Sequence, residues 1–182
     1  MKLARRRIPR HHRFLLFFLV LLSSLWLWLS GTIEKFVLGL GDYGYLGALV
    51  GGFFYTYGVT SPFSVVLFAA LAETLNPTVA ALLGGFGAMI SDYLIFKSVE
   101  DALRKPITIN HHKIKIPRIK SRLFFLLSIP LAAVIIGSPL PDELAAALLG
   151  YEELDDRAFL LLSFAFNSLG LFSIILLARL FV

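Results

Sequence analysis

Five acidic or amide side chains carry most of the chemistry this chain offers at depth: Glu73, Asp92, Asp142, Glu143 and Asn167. An acid placed in hydrocarbon costs at least ~2.5 kcal/mol on insertion scales, so where one persists it usually marks an ion pathway or a proton relay. The chemistry open to such a set is the holding and release of a proton or a cation. Asp92 stands five residues before Lys97. It reads either as an acid near the cytoplasmic interface or as a proton-accepting group facing a cavity. Asp142 and Glu143 directly follow Pro139-Leu140-Pro141 and open a half-helix. Orphan N–H groups and the helix dipole stabilise an acid there, which explains Asp142 by capping alone. A second carboxylate beside it repels the first, so one of the two tends to hold a proton, and the pair reads as a proton or cation site. Glu73, in the turn with Asn76-Pro77, is either an exposed acid or part of an outer cavity mouth. Asn167-Ser168 serves equally as interhelical glue or as a ligand contact.

The elements that must position these groups occur twice. Ser61-Pro62 leads through Val65–Ala72 and the turn Glu73–Thr78 to an apolar helix over Val79–Phe96 that contains Asp92. Ser138-Pro139 leads through Glu143–Gly150 and the turn Tyr151–Arg157 to an apolar helix over Ala158–Leu180 that contains Asn167. The breaks lie 77 residues apart and the two polar positions 75 apart. Broken hydrophobic segments in corresponding positions of two halves point to a transporter's binding site.

Composition sets the class. Of 182 residues 58% are hydrophobic and 16% charged, and the mean hydropathy is +0.81. Soluble domains hold about 45–50% apolar and about 25% charged residues, so this is an integral membrane protein. The chain has no cysteine, which excludes disulfides, thiol catalysis and cysteine-ligated metal.

Charge and length give a topology. Six of the 17 Lys and Arg precede the first apolar stretch, and eight lie between Lys97 and Arg122. The positive-inside rule puts both regions in the cytoplasm, so an even number of crossings separates them. Phe14–Ser30 and Val79–Phe96, at 17 and 18 residues, are long enough to cross. Tyr45–Tyr57 has 13 residues and Val65–Ala72 has eight, so neither reaches the roughly 20 that a span needs. The solution is a re-entrant hairpin that enters from outside, turns at Gly58–Pro62 and leaves on the same side, with proline supplying the break. Leu123–Ile136 and Glu143–Gly150 form a second hairpin from inside, turning at Gly137–Pro141, and Ala158–Leu180 crosses outward.

The expected fold is therefore an all-α integral membrane protein. It is an inverted repeat of a re-entrant helical hairpin plus a transmembrane helix, with one extra N-terminal transmembrane helix. It forms a single membrane domain over 1–182: basic N-terminus and first span 1–43, repeat 1 at 44–105, basic cytoplasmic loop 106–122, repeat 2 at 123–182. The hairpin tips, marked by Ser61, Pro62, Ser138, Pro139 and Pro141, approach each other near the bilayer midplane. Localisation is the cell membrane, with the N-terminus and 97–122 cytoplasmic and the C-terminus outside. A plain bundle of six or seven spans, with Ser-Pro marking ordinary kinks, is the competing arrangement.

The remaining motifs are weak. Phe14–Ser30 exceeds the 7–15 apolar residues of a signal peptide and no clean cleavage site follows, so it reads as a retained span with Trp26 and Trp28 near its outer end. Gly84, Gly85, Gly87 and Ser91 form a small-residue face for close helix approach. His11-His12 and His111-His112 lack acids or thiols at ligand spacing, so no metal and no cofactor is expected. Lys113–Arg122 alternates charge with isoleucine, as a segment lying on anionic headgroups does, and no nucleic-acid partner is expected.

Gly87-Ala88-Met89-Ile90-Ser91-Asp92, with Phe96 four residues on, echoes a G-x-x-x-G-D-x-x-x-Y motif, with Ser91 for the second glycine and Phe96 for the tyrosine. Pro141-Asp142-Glu143 and Gly150 echo a proline-and-acid hairpin tip, P-x-E, with a glycine end. On these residues, over roughly Gly44–Leu180, the chain resembles the DedA family, also called the VTT or SNARE-associated superfamily, whose members share two opposed re-entrant hairpins. Bacterial members carry two arginines around a proline in the second hairpin; here the neighbours of Pro130, Leu127 and Ala133, are apolar. Any headgroup contact those arginines make falls to Arg122 or Lys97, or is absent.

The resemblance implies lipid scrambling or lipid-carrier transport with membrane lipids as partners and protons as the coupling species. The similarly sized small multidrug export proteins imply proton-coupled efflux of a small molecule or cation instead. No H-E-x-x-H or G-x-S-x-G is present, and all four histidines lie in basic segments, so no enzyme is expected. An assembly role, including self-association into a homo-oligomer, is a further alternative.

Overall fold

The computed structural model describes residues 10–104, 107–109, 112–114, 122–138, 143–151 and 154–181. The described residues form eight helices in this order: α1 (Arg10–Leu29), α2 (Thr32–Leu40), α3 (Gly44–Tyr55), α4 (Ser61–Leu71), α5 (Pro77–Arg104), α6 (Arg122–Ile136), α7 (Glu143–Tyr151) and α8 (Asp156–Phe181). A 3-10 turn over Gly41–Tyr43 joins α2 to α3. Among the described residues two stretches, Pro77–Asp101 and Asp156–Phe181, are each long and apolar enough to cross a membrane. Large apolar side chains stand exposed along them, among them Leu94, Leu161 and Leu169. Exposed apolar side chains in such numbers mark a surface that meets a membrane or another protein.

Helix starts are written in the sequence. Asn76 Oδ1 accepts the N–H groups of Thr78 and Val79 at 3.0 and 3.3 Å, and Pro77 occupies the first helical position of α5, where its missing N–H costs nothing. Asp155 caps α8 by accepting the Arg157 N–H at 3.1 Å.

Two expectations are corrected and two features are added. Pro62 does not break a helix; it sits in the first turn of α4, so the loop ends before Ser61 and α4 is longer than Val65–Ala72. The helix expected over 79–96 runs on to Arg104, because Lys97, Glu100 and Arg104 are good helix formers that need not lie in hydrocarbon. Within the basic loop Ile107–Ile109 pairs antiparallel with His112–Ile114, where β-branched isoleucines alternate with polar residues. The N-terminal segment is not one straight helix. Gly31 adopts a left-handed φ of 64°, which only glycine takes without strain, and α2 turns away from α1 by 75°. α1 covers the expected first span, Phe14–Ser30, to within one residue, and the two helices together have the length and apolarity of one bent span.

Both hairpins are present as helix pairs: α3 lies against α4 and α6 against α7. The arms are exchanged between halves, with α4 packed on α8 and α7 packed on α5. The long helices run antiparallel, since Lys97 near the end of α5 meets Asp156 at the start of α8, while Leu171 packs near Gly84. At the other end of α8, Arg179 Nε and Nη2 donate to the carbonyls of Ala72 and Leu75 at 2.8 and 2.9 Å, closing the C-terminal end of α4. Charge-assisted bonds of this kind satisfy carbonyls that a helix end leaves orphaned. Arg179→Gln is expected to cost about 1 kcal/mol, seen as a fall of about 2–4 °C in the thermal midpoint in detergent, with Arg179→Lys intermediate.

The interior has three layers. One apolar cluster holds Ile33, Val37, Leu67, Phe68, Leu71, Leu171 and Ile175. The second holds Ile95, Phe96, Ile136, Ala145, Leu149 and Phe159. Between them, on facing turns of α5 and α8, lies a polar layer.

Candidate functional site

The polar layer is built from helix register. Asp92 stands near the middle of α5, roughly 22 Å along the axis from Pro77 at 1.5 Å per residue. Ser163 and Asn167 are four residues apart on α8, so they present to the same side one turn from each other. Where α5 and α8 cross, Ser163 Oγ and Asn167 Nδ2 each donate to Asp92 Oδ2 at 2.7 Å. Asn167 Nδ2 also donates to Ser163 Oγ at 3.2 Å. All three side chains are buried, with Asp92 at 1% and Ser163 and Asn167 at 0% exposure. Asn167 Oδ1 is buried and has no hydrogen-bond donor among the described residues.

Each hairpin brings its turn to this level. Thr56, directly after α3, donates its hydroxyl to Ser91 at 2.7 Å, beside Asp92. Gly137, directly after α6, lies so close to α8 that a Cβ on Gly170 would fall on the Gly137 carbonyl. The two turns also touch each other: the Tyr55 hydroxyl donates to the Gly137 carbonyl at 3.5 Å. Small residues make this approach feasible, since without a side chain two backbones pack directly.

One turn beyond Asp92, Phe96 and Phe159 stack with centroids 4.1 Å apart and planes at 17°, both buried. Beyond that stack Lys97 Nζ pairs with Asp156 at 2.6 Å and Glu100 at 3.1 Å, and Tyr93 donates to Asp156 at 3.0 Å. An aromatic plug therefore separates the buried carboxylate from a half-exposed ion cluster at one end of the long helices.

Of the residues singled out in the sequence, Asp92 and Asn167 come together in direct contact. Asp92 is not an acid at the end of its helix, because α5 continues for twelve residues past it. Glu73 is exposed at the α4–α5 turn, the far end of α5 from the polar layer's neighbour Lys97, and joins no part of the site. Ser61 is buried at the start of α4, its hydroxyl donating to Gly58 at 3.3 Å. Ser138 donates to Ile135 at 2.8 Å in the second turn. Glu143 is the first residue of α7. Asp142, Pro139 and Pro141, and the side chain of Glu143, lie outside the described residues.

Ser163 and Thr56 were not singled out by sequence reasoning. Ser163 had a signal: it precedes Asn167 by one helical turn, on the face that must meet Asp92. In the ion cluster Lys97 and Glu100 are a local pair three residues apart, but Asp156 had no signal, because it lies 59 residues from Lys97. No protein-family model matches this chain, and no curated protein or solved structure is significantly similar to it.

Proposed function

We propose that this chain is a DedA-like membrane transporter or scramblase. It moves a lipid or lipid-linked headgroup past a central carboxylate held between two opposed re-entrant hairpins. The supporting observation is the bond between Asp92 and Asn167, equivalent positions of the two halves, buried at mid-helix with one hairpin turn packed at each flank. A charge there is expensive, and a chain meant only to pack would place an aliphatic residue in its stead. Exchange of α4 and α7 between the halves supports reading them as an inverted repeat, the arrangement that places substrate sites near the midplane. In this reading a headgroup enters the polar layer as one hairpin withdraws, while its tails stay against the exposed apolar faces of α5 and α8. The protein then sits in the cell membrane with its N-terminus and residues 97–122 in the cytoplasm and its C-terminus outside.

A second reading is a proton-coupled exporter of a small cation. It is favoured by Asp92, the one carboxylate of this layer among the described residues, one oxygen of which collects two donors, as a site for a single positive charge would. Lipid flip in proteoliposomes, followed with a fluorescent headgroup lipid, separates the two. The lipid reading expects flip at least about tenfold above protein-free vesicles, retained in Asp92→Asn because a headgroup path tolerates loss of one carboxylate. Wild-type vesicles that flip no faster than empty ones, yet release protons when a cation is added, overturn it in favour of export.

A further inference from the structure

We propose that Asp92, Ser163 and Asn167 form a binding site for a monovalent metal cation, with sodium as the ion. The observation that points to a ligand is the amide of Asn167. Its Nδ2 is committed to Asp92 Oδ2 at 2.7 Å and to Ser163 Oγ at 3.2 Å, and exchanging the two ends of the amide would set a carbonyl against a carboxylate. The orientation is thereby fixed, and Asn167 Oδ1 is left at 0% exposure with no donor among the described residues. A buried acceptor without a donor costs its full desolvation unless a donor, a water or a cation reaches it.

The neighbouring atoms favour a cation. Ser163 Oγ donates once and accepts once, and a hydroxyl oxygen has a second lone pair. Asp92 adds carboxylate oxygen. Carboxylate, amide carbonyl and hydroxyl are hard oxygen donors, the set that suits alkali and alkaline-earth ions rather than soft metals. Among the described residues no group of three or more His, Cys, Asp or Glu exists, so a multivalent cage is absent there. Among the described residues the layer holds one carboxylate, one negative charge between two apolar clusters, which a monovalent ion balances and a divalent ion exceeds. The donors come from both long helices, so an ion bound there ties α5 to α8 at the level of both hairpin turns. Only the step from binding to coupling rests on the transporter reading above; the binding itself does not.

The test is thermal unfolding of the purified full chain in detergent at fixed pH and ionic strength, with choline chloride exchanged stepwise for sodium or potassium chloride. Sodium is expected to raise the midpoint saturably, by about 3 °C at ten times its dissociation constant, with potassium weaker and choline without effect. Asp92→Asn is expected to abolish the response and Ser163→Ala to weaken apparent affinity about tenfold. Retention of radioactive sodium by the wild type reads the same site without any variant. Equal midpoints in sodium and choline overturn the proposal and assign Asn167 Oδ1 to an ordered water. A sodium response that persists in Asp92→Asn overturns it as well, and so does stabilisation by acid alone, which assigns the site to a proton. Lipid flip is measured separately, so absent sodium binding with flip intact sinks this inference and leaves the lipid reading standing.

Discussion

Gly52→Ala is expected to lower the thermal midpoint in detergent by about 6–12 °C, corresponding to about 3 kcal/mol, at the upper end of what a single overpacked methyl costs. The reason is where the methyl would go. An ideal Cβ at Gly52 lies 2.6 Å from the Gly84 Cα and closer still to its carbonyl, so α3 and α5 would have to separate along their whole contact. A flexible side chain can rotate away from such a clash, but backbone inside two regular helices cannot. Gly87 faces the Leu49 carbonyl in the same way, and Gly87→Ala is expected to behave like Gly52→Ala. Gly39→Ala supplies the control: it is also helical, nothing lies within 4 Å of its Cβ position, and the exchange is expected to be neutral or slightly stabilising. Equal midpoints for Gly52→Ala and Gly39→Ala would show that α3 does not pack on α5 as described.

Asn167→Leu is expected to cost about 2–3 kcal/mol, because it removes a donor to a buried charged acceptor while keeping the branched heavy-atom outline of the side chain. The cost should vanish when its partner goes too. In Asp92→Leu/Asn167→Leu both members are apolar, and Ser163 can turn its hydroxyl to the carbonyl one turn back along α8, as Ser173 does to Leu169 at 2.8 Å. Replacing both partners of a buried polar pair by apolar groups of similar shape is nearly neutral. A double-mutant cycle read by denaturant or thermal unfolding in micelles should therefore show a coupling of at least about 1.5 kcal/mol. Additive effects of the two single changes would mean that the side chains do not touch. The double variant is also expected to lose any ion dependence of stability while remaining folded, which separates the cost of the pair from its use.

Both expectations concern features that were only half visible in the amino-acid order. The short helices were legible because apolar runs of helical length are bounded by glycine, serine and proline, and α3, α4, α6 and α7 all appear close to the expected stretches. Asp92 and Asn167 were legible as equivalent positions because each stands alone in a long apolar helix. Their direct contact was not, since the register between two antiparallel helices depends on which small residues let them close. Here Gly85 meets Ser168 and Gly84 admits Leu171, and that placement sets Asn167 against Asp92. The turn at Gly31 was missed because a single glycine in a polar-apolar boundary signals a bend only when its φ is known.

Composition and segment length by themselves determined that this chain holds helices long and apolar enough to cross a membrane and that its apolar runs come as long helices and short pairs. Those properties are local: they follow from transfer energies and from the rise per residue of a helix. Only the tertiary structure decided that a carboxylate, an amide and a hydroxyl meet in one buried layer, that an aromatic stack closes it on one side, and that Arg179 reaches back to seal α4. Such contacts join residues from 63 to more than 100 positions apart, and no local preference can specify them; they arise when backbones close over glycine and bring distant side chains within reach.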